Sequence, residues 1–232
     1  MPKTGQLVVV TGTTGSGKTT TCQEFCNLAD DLWFHIGIDT VAGKMVSRKF
    51  VDGGPRSGEG IHMVPDDPKD PNGARHLELG PVGGAIVHTL HEMAAGAARA
   101  GQNVIMDHVT TVSPPLLQDC VATLVDLPVL FVALKPPEAQ LQTRIDQRLA
   151  DVIATLGPEH GRLNNENTKR ASAYIAREIF GHHDQFDLII DTVALPPRAV
   201  AETILARLKH GPGDSFQRLA ERFGAKSPFA NT

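Results

Sequence analysis

Gly12-Thr13-Thr14-Gly15-Ser16-Gly17-Lys18-Thr19, followed by Thr20, is a complete G-x-x-x-x-G-K-[ST] phosphate loop. Its glycines let the backbone curl until several N–H groups point at one place, and the helix that follows adds partial positive charge there. Lys18 is spaced to reach the β- and γ-phosphates, and the Thr19 hydroxyl to hold a magnesium ion. A Gly/Thr-rich turn that binds nothing has little use for a lysine at this position. The pattern therefore predicts a nucleoside triphosphate on Gly12–Thr20 with Mg2+ beside it.

Two carboxylates stand where such a loop could use them. Asp39 precedes a helix and has two compatible readings: a helix N-cap, or the group that orients an alcohol and accepts its proton late in phosphoryl transfer. Asp107 ends an apolar run and reads as a magnesium or active-site carboxylate; the plain alternative is a solvated strand end. Thr40 and His108, beside them, are candidate acceptor contacts. Arg144 and Arg148 lie one helical turn apart, and mobile arginines can neutralise a transferring phosphoryl group. With Arg162, Lys169, Arg170 and Arg177 they suggest a basic lid over residues 148–177; a solvated charged helix is the alternative.

These residues need a scaffold that gathers them. Strand-like and helix-like segments alternate along the chain, the pattern of a parallel sheet wrapped by helices. Gln6–Val10, Trp33–Ile38, Asn103–Met106, Pro128–Leu134 and Phe186–Ile190 read as five strands. Thr19–Leu28, Thr40–Phe50, Gly83–Ala100, a segment from Pro114 capped by Ser113, Pro136–Leu156, Thr168–Phe180 and Pro196–Lys209 read as helices, with a short one at Ser215–Phe223. In such a sheet, ligands bind at the carboxyl ends of the strands, where the phosphate loop, Asp39, Asp107 and Asp191 all fall. Val51–Pro81, rich in Gly, Pro and Asp, is too long for an idle loop. Gly157–Asn167 reads as a polar break. The expected organisation is one domain over residues 1–210, with an acceptor-binding insertion at about 48–81 and a helical lid at about 148–177, then a tail over 211–232.

Composition removes several function classes. A formal net charge of −4 argues against a nucleic-acid polyanion as the partner. No apolar run is long enough to span a bilayer, and the short N-terminus leaves no room for a signal peptide. Cys22, Cys26 and Cys120 are few and odd in number, which predicts reduced thiols and a cytoplasmic protein. Cys22 and Cys26, a turn apart, read as packing residues, since that pair alone supplies too few metal ligands. His88-x-x-His91-Glu92 is not a metalloprotease pattern, because the glutamate falls outside the pair, and His182-His183 reads as surface histidine.

Taken together, the motifs resemble the chloramphenicol phosphotransferase-like family of small phosphate-loop kinases. Phe34-His35-Ile36-Gly37-Ile38-Asp39-Thr40 is similar to the family's second strand, where an aspartate followed by a hydroxyl residue supplies the base. Ala94–Asp107 looks like its helix, turn and third strand. Asp126–Leu134, Arg144, Arg148 and Phe186–Thr192 fit in order and spacing, so the likeness runs from about Leu7 to about Leu208. It implies a three-layer α/β phosphate-loop kinase fold: a five-stranded parallel sheet, helices on both faces and a mobile lid. It also implies ATP-dependent phosphorylation of a small-molecule hydroxyl, an antibiotic such as chloramphenicol being one candidate, with Asp39 as base. A kinase of a nucleotide, sugar or sugar nucleotide is the alternative; a nucleotide-binding regulatory protein is the alternative of another class. The chain departs from the family at Arg48–Arg75 and Leu149–Thr168, which are longer, and at His108, where a second aspartate is expected.

Overall fold

The computed structural model describes residues 4–230. Five strands form one parallel sheet: β1 (Leu7–Thr11), β2 (Trp33–Gly37), β5 (Asn103–His108), β6 (Val129–Leu134) and β7 (Leu188–Ile190), in the order β2-β5-β1-β6-β7. Because side chains alternate along a strand, each central strand feeds two cores. Leu7, Val9, Val104, Met106, Val129 and Phe131 pack towards α3 (Gly83–Arg99), α4 (Leu116–Leu124) and α9 (Ser215–Phe223). Val8, Val10, Ile105, Leu130 and Val132 pack on the other face, towards α1 (Lys18–Leu28) and α8 (Pro197–Leu208). This is a three-layer sandwich, as the alternation of the sequence requires.

Several expectations are corrected. The helix expected over Thr40–Phe50 is three short pieces: α2 (Ile38–Thr40), a π-helical turn at Val41–Met45 and a 3-10 turn at Arg48–Phe50. Val46 is extended at φ −97° and ψ 145°, which stops helical propagation. The long insertion is not structureless. It carries an antiparallel hairpin of β3 (Ile61–Pro65) and β4 (Arg75–Leu79), whose Leu77 is buried with Tyr174, Ile175 and Ile179. Ser113 does not cap the following helix, which begins at Leu116 after Pro115. Its backbone N–H donates to Glu178 instead, and its carbonyl accepts from the Tyr174 hydroxyl.

The expected helix over Pro136–Leu156 divides at Arg148 into α5 (Glu138–Gln147) and α6 (Leu149–Leu156). Gly157, at φ 82°, ends α6. The expected break at Gly157–Asn167 is instead the first half of a long α7 (Pro158–Phe180), with Pro158 at the start, where its missing N–H costs nothing. Beyond the sheet, α9 packs on α4, and its Phe216 and Leu219 are buried. Helix α9, within the expected tail, is therefore part of the core.

Candidate active site

The phosphate loop leaves β1 and closes on α1. Gly15 (φ 82°) and Gly17 (φ 94°) hold left-handed backbone that a side chain would strain. Lys18 folds back, its Nζ donating to the carbonyls of Gly12 (2.8 Å) and Thr13 (2.9 Å). The hydroxyls of Thr13 and Ser16 are buried with no partner among the described residues. An orphaned buried hydroxyl is costly, and a phosphate oxygen in the loop would satisfy it. Thr14, Thr19 and Thr20 are exposed on the same loop and first helical turn. The residues therefore fit a nucleotide's phosphates.

Three charged groups surround Lys18. Burial lowers its pKa, while the charges of Asp39 and Asp107 raise it and that of Arg148 lowers it. Asp39 lies in the single turn α2, exposed; no side-chain bond caps that turn, whose N-cap position is Gly37. Thr40 is exposed beside it. The carboxylate of Asp39 thus lies near Lys18 without a capping bond.

Asp107 is buried at the end of β5. Burial pushes its carboxyl pKa up, but hydrogen bonds from His35 and Thr19, with the charges of His35 and Lys18, more than offset this and leave it lowered. The His35 contact is 3.2 Å from Nε2 to Oδ2. Gly37 makes the approach possible: a Cβ there would lie 2.2 Å from the Asp107 Oδ1. Thr19 and Asp107 could together hold a magnesium ion.

The arginines separate. Arg144 is half-buried and bonded: Nη1 donates to the Thr192 hydroxyl (2.9 Å) and, more loosely, to the Gly15 carbonyl (3.4 Å), and Nη2 donates to the Thr192 carbonyl (2.7 Å). Thr192 in turn donates to the Ser16 carbonyl (3.1 Å). Arg144 therefore braces the phosphate loop against the loop after β7. Arg148 is exposed at the junction of α5 and α6. Of the expected lid cations, Lys169 pairs with Asp146 and Glu166, Arg170 lies 4.0 Å from Glu166, and Arg177 contacts Glu178 and stacks on Tyr174. Arg162 is exposed on α7.

His108 faces away from Asp107, because consecutive residues of a strand take opposite faces. It is buried against His91, Nε2 to Nε2 at 3.1 Å. His91 Nδ1 contacts the buried Asp119 at 2.5 Å, and His88 and Ser227 reach the same carboxylate. With a proton on His91 Nδ1, the network makes His108 Nε2 the donor to His91 and leaves His108 Nδ1 a buried lone pair without a partner. Burial lowers both histidines' pKa, that of His108 well below its ordinary value, while Asp119 pulls that of His91 the other way.

A second feature unites the insertion and the helices after β6. Arg48, Lys49, Asp52, Gly53, Gly54 and Pro55 face Leu156, His160, Leu163, Asn164 and Asn167 across a cleft of about 290 Å³. Asn167, which lines it, has a buried side-chain oxygen with no partner among the described residues. Sequence reasoning marked both segments but not their meeting. It also missed Thr192 and His35. The only signal for Thr192 was its place after the strand-ending Asp191; His35 gave none before β2 and β5 were paired.

A family model described as chloramphenicol phosphotransferase-like protein matches residues 5–209. The chain belongs to the chloramphenicol phosphotransferase-like family. It is thus a phosphate-loop phosphotransferase of the kinase fold, with the nucleotide-binding loop described above. No curated protein sequence matches it. Among solved structures, the crystal structure of APE1195 is similar at TM-score 0.53 and 15% identity, covering 90% of this chain and 96% of that one. The Mycobacterium tuberculosis APS kinase, in complex with AMPPNP and APS, gives TM-score 0.51 and 12% identity over 90% and 99%. Shikimate kinase from Acinetobacter baumannii, in complex with shikimate, gives 0.50 and 13% over 90% and 95%. At these identities the likeness is one of fold. No helix among the described residues is long and apolar enough to cross a membrane.

Proposed function

We propose that this protein transfers the γ-phosphoryl group of ATP to a hydroxyl of a small molecule, with Asp39 as the general base. The observation that carries this reading is an exposed carboxylate, free of any capping bond, close enough to the phosphate-loop lysine to raise its pKa. The new bond joins the acceptor oxygen to the γ-phosphorus; the bond from that phosphorus to the β–γ bridging oxygen breaks, and ADP leaves. The hydroxyl proton passes to Asp39 late, as the phosphoryl group arrives.

Lys18 turns from the loop carbonyls to the β- and γ-phosphate oxygens, and Arg148 neutralises charge on the transferring group. Thr19 and Asp107 would hold Mg2+, which supplies charge neutralisation and in-line orientation when bound. Arg144 keeps the phosphate loop in register. The cleft between residues 48–55 and 156–167 is the acceptor site, and helices α6 and α7 form its lid. Its volume suits a small molecule. Reduced thiols at Cys22, Cys26 and Cys120 fit a cytoplasmic setting.

One observation favours a second reading of the acceptor. Arg48, Lys49 and His160 line the cleft, which suits an anionic group, as on a nucleotide or sugar nucleotide, better than a neutral antibiotic. Thermal shift with Mg-ATP and a panel of neutral and phosphorylated alcohols, followed by product mass, tests both readings. The proposal expects joint stabilisation with one acceptor and a product heavier by one phosphoryl group. Stabilisation by ATP alone, with slow hydrolysis and no product from any acceptor, favours a regulatory protein.

A further inference from the structure

Asp107, one of the magnesium candidates, also belongs to a set whose other two members, a thiol and an imidazole, magnesium would not choose. Cys22 Sγ, the imidazole of His35 and a carboxylate oxygen of Asp107 all lie within 4.8 Å of one another. They come from three elements that the fold fixes independently: α1, β2 and β5. Cys22 lies one helical turn after Lys18, so the turn that aims the lysine also aims the thiol inward. Cys22 and Asp107 are buried, and His35 is about one-fifth exposed, which leaves a way in from solvent.

We propose that Cys22, His35 and Asp107 form a three-ligand site for a borderline-soft divalent cation, zinc being the natural occupant. Thiolate, imidazole and carboxylate are the zinc donor set, whereas magnesium takes oxygen ligands. Zinc–ligand bonds of roughly 2.0–2.3 Å need the three atoms to close by about an ångström, within the range of side-chain rotation. The charges balance: a divalent ion with one thiolate, one carboxylate and a neutral imidazole is neutral overall, which suits a buried place. Binding forms the sulfur–metal bond and releases the thiol proton to solvent. Three protein ligands leave a fourth position for water or a phosphate oxygen. The ion would also take Asp107 from magnesium; that consequence, and only that one, rests on the kinase reading above.

Cobalt(II) is the probe, because a cobalt–thiolate bond absorbs where aqueous cobalt does not. The reduced, full-length protein titrated with CoCl2 should develop a thiolate-to-cobalt charge-transfer band at one ion per chain, and zinc should bleach it. Cys22→Ser should abolish the band. His35→Gln, at a less buried position, should weaken affinity by at least about a hundredfold, more than loss of an outer-shell partner typically costs. Cys26→Ser, one turn further along α1, should leave the band intact. No band in the wild-type protein, or a band that survives Cys22→Ser and disappears in Cys26→Ser, overturns the site. The absorbance does not depend on catalysis, so failure of the metal site and failure of the kinase reading are told apart.

Discussion

The phosphate-loop end of the sheet and the cleft beneath α6 and α7 are built on different principles. The first is made around one contiguous stretch: eight residues from Gly12 to Thr19 set its backbone, and the ends of β2, β5 and β7 bring Asp39, Asp107 and Thr192 to it. Thr13, Ser16, Asp107 and Thr192 are buried there, and Arg144 braces the loop, while Asp39 is exposed. The second is assembled from segments about a hundred residues apart, lined by charged and amide side chains with Leu156 and Leu163, on residues 48–55 and on α6 and α7. On the proposed reading, the fixed cradle keeps the phosphate donor and the composite wall sets the acceptor.

If the contrast holds, damage at the two ends differs in kind and size. Lys18→Ala should lower turnover by at least about a hundredfold, since it removes the fixed cation at the transferring phosphate. A folded mutant with near wild-type turnover would break the assignment of that end. Arg48→Ala or Asn167→Ala should raise the acceptor KM about tenfold and leave the ATP KM unchanged, the signature of lost ground-state binding. An equal rise in both constants would merge the two sites into one.

Arg144→Ala and Arg148→Ala sharpen the comparison from within. Arg144, half-buried and bonded to Thr192, should cost about 1–3 kcal/mol of stability as well as ATP affinity. Arg148, exposed, should reduce turnover with the melting temperature nearly unchanged. Matching stability losses for the two would deny the difference between brace and lid.

The smallest effect concerns pH. His91 and His108 are buried, with pKa values lowered chiefly by burial from the ordinary 6.5. The unfolded chain then binds protons that the folded chain refuses. Their contribution to stability is whole above the ordinary histidine range and is lost as pH falls from there towards the folded values. The slope is at most about 1.4 kcal/mol per pH unit for each histidine. Urea midpoints measured from about pH 8 to about pH 5 should fall accordingly. A flat profile would mean that the folded rings take up protons as readily as the unfolded chain.

The sequence was informative where function rests on backbone geometry. The phosphate loop, the five strands and the family likeness could all be read, because a G-x-x-x-x-G-K-T turn and apolar strands carry local signals. What could not be read depends on contacts distant in sequence. The His91–His108 pair requires knowing that β5 turns His108 towards α3. The hairpin of the insertion is hidden among Gly, Pro and Asp, and its burial comes from Tyr174 and Ile175, a hundred residues on. Gly157–Asn167 reads as a break because its residues are polar; the first half of α7 buries Gly161, Asn165 and Asn167, which carry no apolar helical stripe. Asp39 was open between cap and base; Gly37 holds the N-cap position, and no capping bond from Asp39 exists.

Asp39→Asn gives the most direct test of the central claim, that an uncapped carboxylate beside the phosphate loop takes the acceptor's proton. The exchange keeps the side chain's shape and removes its charge. Transfer of labelled γ-phosphate from ATP to the acceptor found by the product-mass screen should slow by roughly a hundredfold or more, the scale of general-base loss. ATP affinity and melting temperature should stay near those of the wild type. Transfer at the wild-type rate by Asp39→Asn would contradict the account and move the search for a base to Asp107.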